Sequence, residues 1–263
     1  MPQVVVIIPT YKKDLKESEK IALQQCQTKL HTYPIVFVAP QDLDADYMQG
    51  YETQRFDNHY FTGIAGYNEL LMSSIFYERF TQYEFMLICQ LDALVLKDEL
   101  AYWCAKDYDY IGATWLDKDR NFFRRLVRNI KTWKYIRKLK GMQVADNQLK
   151  MGYITHGKVG NGGFSLRKTE AMLKVVKLYP DWIQRILKTT IPEDVFFSIL
   201  VNLYQTEQLR IAPYKEGIKF AFEMYPEKAY KLNGNQLPFG CHDFDDWSQD
   251  FWKKHLPTLT QTK

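Results

Sequence analysis

From Met1 to Trp115 the apolar positions alternate between two patterns. Val4 to Ile8 is an unbroken β-branched run ending at Pro9-Thr10, and Ile35 to Val38 is a second apolar run, stopped by Ala39-Pro40. Continuous runs of this kind predict parallel strands buried on both faces. Between them, Asp14 to Leu30 mixes polar and apolar residues as a helix does. Gly66 to Phe80 places Leu70, Leu71, Ile75, Phe76 and Phe80 for another helix. Phe85 to Cys89 reads as a third strand, Asp98 to Lys106 as a short helix, and Tyr108 to Ile111 as a further strand. The alternation predicts a doubly wound α/β arrangement with helices on both faces of a mostly parallel sheet.

The second half is less regular. A glycine-rich turn at Gly160 to Gly163 leads into a strand, Phe164 to Arg167, and a helix from Lys168. Pro192 to Tyr204 predicts another helix. Leu209 to Ala212 and Pro238 to His242 are short apolar stretches, and a tail helix lies around Asp245 to Lys254. No repeat, low-complexity stretch or long linker divides the chain. The expected organisation is one domain over 1–263. Residues 1–115 form a Rossmann-like nucleotide half, 118–140 a helical insert, and 150–245 a smaller acceptor half, followed by a helical tail.

Composition narrows the class. With 46% apolar and 25% charged residues, the 263-residue chain matches soluble globular proteins and excludes disorder. The near-apolar run Phe85 to Leu96 is broken by Gln90 and Asp92 and is too short to span a bilayer. The start, Met1-Pro2-Gln3, has no basic n-region and reads as no signal peptide. Cys26, Cys89, Cys104 and Cys241 form no CxxC pair, so they read as reduced thiols of a cytoplasmic protein.

Charge changes the picture at one place. Lys118 to Lys140 holds ten Lys or Arg and one acid, a net +9 within a chain of net +4, leaving −5 elsewhere. At 100° per residue, Phe122, Phe123, Leu126, Val127, Ile130, Trp133 and Ile136 share one arc, with Arg120, Arg124, Arg128, Lys131 and Lys138 opposite. Such a helix either packs on the body with a solvated basic face, or docks on an anionic membrane or acidic acceptor. A chain whose remainder is acidic is not expected to bind nucleic acid.

Four features could carry chemistry. Asp92 stands in the apolar stretch Leu87 to Leu96, where a carboxylate is costly unless paired, hydrogen-bonded or bound to a metal. Gln90 shares its face if the strand continues. Gly160-Asn161-Gly162-Gly163 is either a tight turn or a backbone that a ligand approaches closely. Thr190-Ile191-Pro192-Glu193 fits a capping box that occupies Glu193 and leaves Asp194 available as a general base. His242, in Pro238-Phe239-Gly240-Cys241-His242, is either a structural turn residue or, beside Asp92, a ligand for a hard divalent ion.

In this order the features resemble the common core of GT-A glycosyltransferases: a DxD motif, a glycine loop, an xED motif and a late metal-binding His. The matching residues are Gln90-Leu91-Asp92, Gly160 to Ser165, Pro192-Glu193-Asp194 and His242. Further stretches (Gly66-Tyr67-Asn68, Asp109 to Trp115, Gly160 to Arg167, Pro238 to His242) resemble a largely uncharacterised GT-A-like family found in bacterial polysaccharide loci. The departure is Gln90, which replaces the first acid of DxD.

The resemblance implies a cytoplasmic glycosyltransferase of surface polysaccharide biosynthesis, peripheral on the inner face of the membrane if 119–140 docks there. A nucleotide-diphosphate sugar, a UDP-sugar by preference, would donate to a glycan or lipid-linked acceptor. Thr10 and Gln41 are then candidates for the nucleoside, Asn68 for ribose or phosphate, Gln90 for ribose, and Gly162 and Gly163 for the sugar or acceptor pocket. Asp92 and His242 would hold Mn²⁺ or Mg²⁺, and Asp194, beside Glu193, would be the base of an inverting transfer. Two rival classes are a non-catalytic carbohydrate- or nucleotide-binding module, favoured by Gln90, and a sugar-phosphate nucleotidyltransferase. The glycine-free Pro9-Thr10-Tyr11-Lys12-Lys13 counts against the latter.

Overall fold

A computed structural model describes residues 3–117, 122–139, 149–205, 208–245 and 248–256; within 122–139 it describes the side chains of 127–137. Its main sheet has six strands: β1 (Val4–Pro9), β2 (Ile35–Pro40), β3 (Glu52–Phe56), β4 (Phe85–Cys89), β6 (Tyr110–Ile111) and β7 (Phe164–Lys168). Their order is β3-β2-β1-β4-β7-β6, parallel from β3 to β4, with β7 antiparallel to both neighbours. A second sheet of three strands joins β5 (Ala93–Val95), β9 (Gly240–His242) and β8 (Ala221–Phe222).

The unbroken apolar runs are explained by two cores, one on each face of the main sheet. Val5, Ile7, Val36, Val38, Met86 and Ile88 enter one core, while Val4, Val6, Ile8, Phe37, Phe85 and Leu87 enter the other. Alternate strand residues point to opposite faces, so both phases of each strand must be apolar. A third cluster around Leu94, Phe222, Cys241 and Trp252 covers the small sheet. All four cysteines are buried and unbridged.

Several predicted elements are redrawn. β3 has no apolar run, because it is the outer strand and exposes Glu52; polar and charged residues on an outer strand oppose pairing with other chains. The apolar stretch from Phe85 to Leu96 is two strands in two sheets rather than one. The chain turns at Gln90–Ala93, with Ala93 N–H donating to Gln90 O at 2.9 Å, so Gln90 and Asp92 do not share a strand face. The single helix expected over Gly66 to Phe80 is two, α2 (Ile64–Leu71) and α3 (Ser74–Glu78), broken where Ser73 Oγ donates to Leu70 O. The helix expected from Pro192 begins at Glu193 and passes through a π-helical turn, Phe196–Leu200, before Val201–Tyr204.

The basic segment contains a helix, Phe122–Leu139. Over its described side chains, the apolar arc is not simply the packed face. Thr132 is buried, and Arg128 turns toward the body to contact Asp117 at 2.8 Å. Ile130 and Trp133 are instead 47% and 58% exposed, and Arg137 lies over the Trp133 ring. Lys118 to Asn121 and Lys140 lie outside the described residues. Among the described residues, no helix is long and apolar enough to cross a membrane.

Candidate active site

The topology brings the separated motifs to one edge of the main sheet. β1 and β4 run parallel and end there at Pro9 and Cys89, and antiparallel β7 begins there, with Cys89 opposite Phe164. The glycine loop precedes β7 and is fastened to the β4 turn by Gln90 N–H donating to Gly163 O at 2.8 Å. In the small sheet Ala93 pairs with His242, and Asp243 N–H donates to Asp92 O at 2.9 Å. Strand register therefore places Asp92 beside His242, although 150 residues of chain separate them.

A cleft of about 680 Å³ opens at this edge. Of the predicted residues, Thr10, Asn68, Gln90, Asp92, Gly162, Gly163, Glu193 and Asp194 line it. Gln41 is not among the lining residues; it is exposed, and its N–H donates to Asn58 Oδ1 at 2.9 Å. Thr10 lines the cleft but is 2% exposed, with its hydroxyl 2.6 Å from Tyr47 Oη. Asn68 lies in the second turn of α2 rather than at a helix start, and its Oδ1 accepts from Glu193 N–H at 3.2 Å.

His242 sits behind Gly163. Its Nε2 is 3.1 Å from Gln90 Oε1 and 3.2 Å from Asp92 Oδ1, and its Nδ1 is 3.6 Å from Glu223 Oε1. Burial acts to lower the His242 pKa, but the contacts with Asp92 and Glu223 outweigh it and push it up to about 10. Burial likewise opposes ionisation of Asp92, yet His242 holds its carboxyl below the usual range. Asp92 is two-sided: its side chain is 47% exposed, while Oδ1 is shut off from solvent.

These residues fit a divalent ion in part. Asp92 Oδ1, His242 Nδ1 and Glu223 Oε2 are buried without a well-formed hydrogen bond, and a divalent ion would have to displace the proton that the two carboxylates hold on His242. Two ligands about 2.1 Å from a metal at right angles stand roughly 3 Å apart, close to the 3.2 Å between Asp92 and His242. Glu223 on the far ring nitrogen fits the carboxylate that orients a metal-ligating imidazole. Among the described residues, no three His, Cys, Asp or Glu side chains are placed to hold a metal ion by themselves. The remaining ligands would have to come from a bound molecule and water.

The glycine loop has a specific steric cause. A Cβ on Gly162 would stand 2.2 Å from Glu193 Oε1, and one on Gly163 would stand 2.0 Å from His242 Nε2. The space is already filled by the protein's own carboxylate and imidazole. Asn161 takes the positive φ of 69°, and its Oδ1 accepts from Gly163 N–H at 2.9 Å.

Glu193 and Asp194 are adjacent but occupy different environments. The capping box with Thr190 is not formed: Pro192 occupies the cap position, and the first N–H of the helix, that of Glu193, is taken by Asn68 Oδ1 instead. Glu193 is instead 3% exposed and accepts two hydrogen bonds from Arg167, each 2.8 Å. Arg167 also donates from Nε to Ser165 Oγ at 3.0 Å and faces the Tyr110 ring. Asp194 is half-buried with no cation against it among the described residues; Oδ2 accepts from Gly162 N–H at 3.2 Å and Oδ1 from Val195 N–H at 2.7 Å. Burial raises its pKa, and the charges of Glu193 and Glu223 add to the effect, to about 7.

Sequence reasoning missed Arg167 and Glu223. Each is a charge at the end of an apolar stretch, Phe164-Ser165-Leu166-Arg167 and Phe220-Ala221-Phe222-Glu223, the same anomaly that singled out Asp92.

Comparison with known proteins places this geometry in context. No curated protein matches the chain. Among solved structures, that of the galactosyltransferase LgtC with donor and acceptor sugar analogues superposes with a TM-score of 0.52 at 12% identity. The match covers 98% of this chain and 97% of that one. The bifunctional glycosyltransferase WbbM superposes at 0.51 with 10% identity, over 99% of this chain and 50% of that one. At such identities the likeness establishes a fold, a single GT-A-like α/β domain. The family model described as "Protein of unknown function (DUF5672)" matches residues 50–242, and the chain belongs to that family.

Proposed function

We propose that the protein is a glycosyltransferase that moves a sugar from a nucleotide-diphosphate sugar, a UDP-sugar by preference, to a glycan or lipid-linked acceptor in surface polysaccharide biosynthesis. Residues 1–115 would hold the nucleotide and residues 150–245 the acceptor. The observation that carries the reading is Asp194: a cleft carboxylate with no cation paired to it among the described residues, pushed up to about 7, while its neighbour Glu193 is locked to Arg167. A base works best when its pKa lies near the working pH.

In the transfer, Asp194 takes the proton of the acceptor hydroxyl as that oxygen bonds to the anomeric carbon. The bond from that carbon to the diphosphate oxygen breaks with its electron pair, and the configuration inverts. Glu193 and Arg167 fix the backbone that carries Asp194, through Gly162 and the helix start. A divalent ion, where bound, would be held by Asp92 and His242 and would offset charge on the diphosphate. Glu223 orients the His242 ring. The exposed Ile130 and Trp133 beside Lys131, Lys134 and Arg137 would bring the cleft to an anionic membrane.

Incubation with UDP-, GDP- and CMP-sugars, with and without Mn²⁺, tests the reading by release of free nucleotide or sugar in the absence of acceptor. Turnover by the native chain, weakened nucleotide binding in Asp92→Asn and His242→Ala, and loss of turnover in Asp194→Asn are the expected results. Gln90, where the DxD pattern has an acid, favours a second reading, a non-catalytic nucleotide- or carbohydrate-binding module. That reading is established if nucleotide sugars bind and are never turned over with any acceptor.

A further inference from the structure

The charges lining the cleft do not suit an anionic donor unless one of them has a role not yet assigned. Among the described lining residues there are four carboxyl groups, Glu19, Asp92, Glu193 and Asp194, and a single cationic side chain, Lys12. A nucleoside diphosphate brings further negative charge into this space. His242 stands behind Gly163, already between two carboxylates, and Arg167 is consumed by Glu193.

Lys12 is held as a directed group. Its ammonium pairs with Glu19, a residue 5% exposed near the start of α1 (Glu17–Lys29). Glu19 is itself fixed, because its other oxygen accepts from Lys16 N–H at 2.9 Å. The loop before Lys12 is fixed as well. Tyr47 Oη donates to the Lys12 carbonyl and contacts the Thr10 hydroxyl. An ammonium has three N–H donors, and Glu19 engages one of them. The Lys12 side chain remains about a third exposed and, with Glu19, lines the cleft.

We infer that Lys12, braced by the buried carboxylate of Glu19, is the protein's phosphate-binding cation, taking an oxygen of the donor diphosphate in the cleft that Asp92 also lines. This rests on the nucleotide-sugar reading above and adds to it a binding residue and a positioning residue. A lysine suits the task because its compact ammonium can bind a phosphate oxygen while keeping Glu19, without the fixed fork of an arginine. The arrangement also accounts for a buried glutamate at a cleft that must accept an anion. Without Lys12, Glu19 would repel the ligand.

The test is calorimetric titration of the full chain with UDP, GDP, CDP, inorganic pyrophosphate and uridine, in the presence of Mg²⁺. The variants are Lys12→Met, Glu19→Gln and the double variant Lys12→Met/Glu19→Gln. Lys12→Met is expected to weaken every diphosphate at least tenfold and to leave uridine unchanged. Glu19→Gln is expected to weaken diphosphates several-fold, since the ammonium is present but no longer held. If Lys12→Met melts early because Glu19 is left unpaired, the double variant removes that burden and should show the same tenfold loss. Equal diphosphate affinity in native and double-variant protein overturns the Lys12 site and leaves the nucleotide-sugar reading standing. Native protein that binds pyrophosphate as tightly as any nucleotide, with the binding lost in Lys12→Met, supports the site and overturns the nucleotide reading. Binding of none of these probes overturns both.

Discussion

Replacing Glu193 by Gln separates the structural carboxylate from the chemical one. The side chain keeps its shape but loses its charge, and Arg167, buried at 0% exposure, keeps its own charge without a counter-ion. Breaking a buried pair from one side costs about 3–5 kcal/mol, because the remaining charge is left in a poorly solvating interior. For a chain of this length that converts at about 2 °C per kcal/mol, or roughly 6–10 °C in melting temperature. The assay is thermal unfolding of the native chain, Glu193→Gln, and Arg167→Met/Glu193→Met, in which both charges are replaced by apolar groups. The double variant should recover much of the loss. A second consequence follows at Asp194, whose pKa is raised partly by the Glu193 charge. In Glu193→Gln, the acid limb of any transferase pH profile should move below its native position near 7. A melting temperature within one degree of native would show that the Arg167–Glu193 pair does not hold this part of the fold.

Asp194 gives a pH signature that needs no known acceptor. Its folded pKa is raised above the ordinary carboxylate value, so between about pH 4 and pH 7 the native state binds the proton that the unfolded state has released. Native stability from this group therefore falls as pH rises through that window. The melting-temperature difference between native protein and Asp194→Asn should shrink or reverse from pH 5 to pH 8, and a constant difference would place the carboxyl in water. Once an acceptor is in hand, Asp194→Asn should lower single-turnover rates about 10²–10⁴-fold with nucleotide binding retained. Gly163→Ala should push His242 off Gln90 and Asp92, cost roughly 1–3 kcal/mol in chemical denaturation and weaken Mn²⁺-dependent nucleotide binding. The chain should sediment with anionic but not neutral vesicles, and lose binding in high salt or in Trp133→Ala with Lys131→Ala and Lys134→Ala. Each basic residue near such a surface contributes about 1 kcal/mol.

The strands of the main sheet were legible because burial on both faces forces unbroken apolar runs, as in Val4–Pro9 and Phe85–Cys89. β3 was not, because an outer strand is under no such demand and Glu52 to Arg55 carries no apolar run. The cleft residues were legible as charges and glycines in places where neither is cheap. Their partners were not, because pairing is fixed by sheet register and not by spacing. Nothing local to Glu193 announces Arg167; the capping-box pattern points instead to Thr190, three residues before it. Likewise β5 and β9 are three residues each, too short to show a period, and yet their register alone sets Asp92 beside His242.

That dependence on register explains how neighbouring acids can differ so much. Glu193 and Asp194 share a helix start, but successive side chains there point in different directions. One meets the Arg167 guanidinium on the core face of β7, and the other meets only backbone N–H groups at the mouth of the cleft. A carboxylate with a cation is kept ionised and inert; one with a buried carboxylate beside it and no cation is kept near neutrality and can exchange its proton. The Arg167–Glu193 pair thus has two effects that cannot be separated in the native chain. Arg167 fastens the Gly162 backbone that receives Asp194, while Glu193 supplies the negative charge that raises the Asp194 pKa, an effect that Arg167 partly offsets. A variant that keeps an acceptor against Arg167 but removes the charge, as Glu193→Gln does, should leave Gly162 fastened and Asp194 in place while making Asp194 a stronger acid and a weaker base.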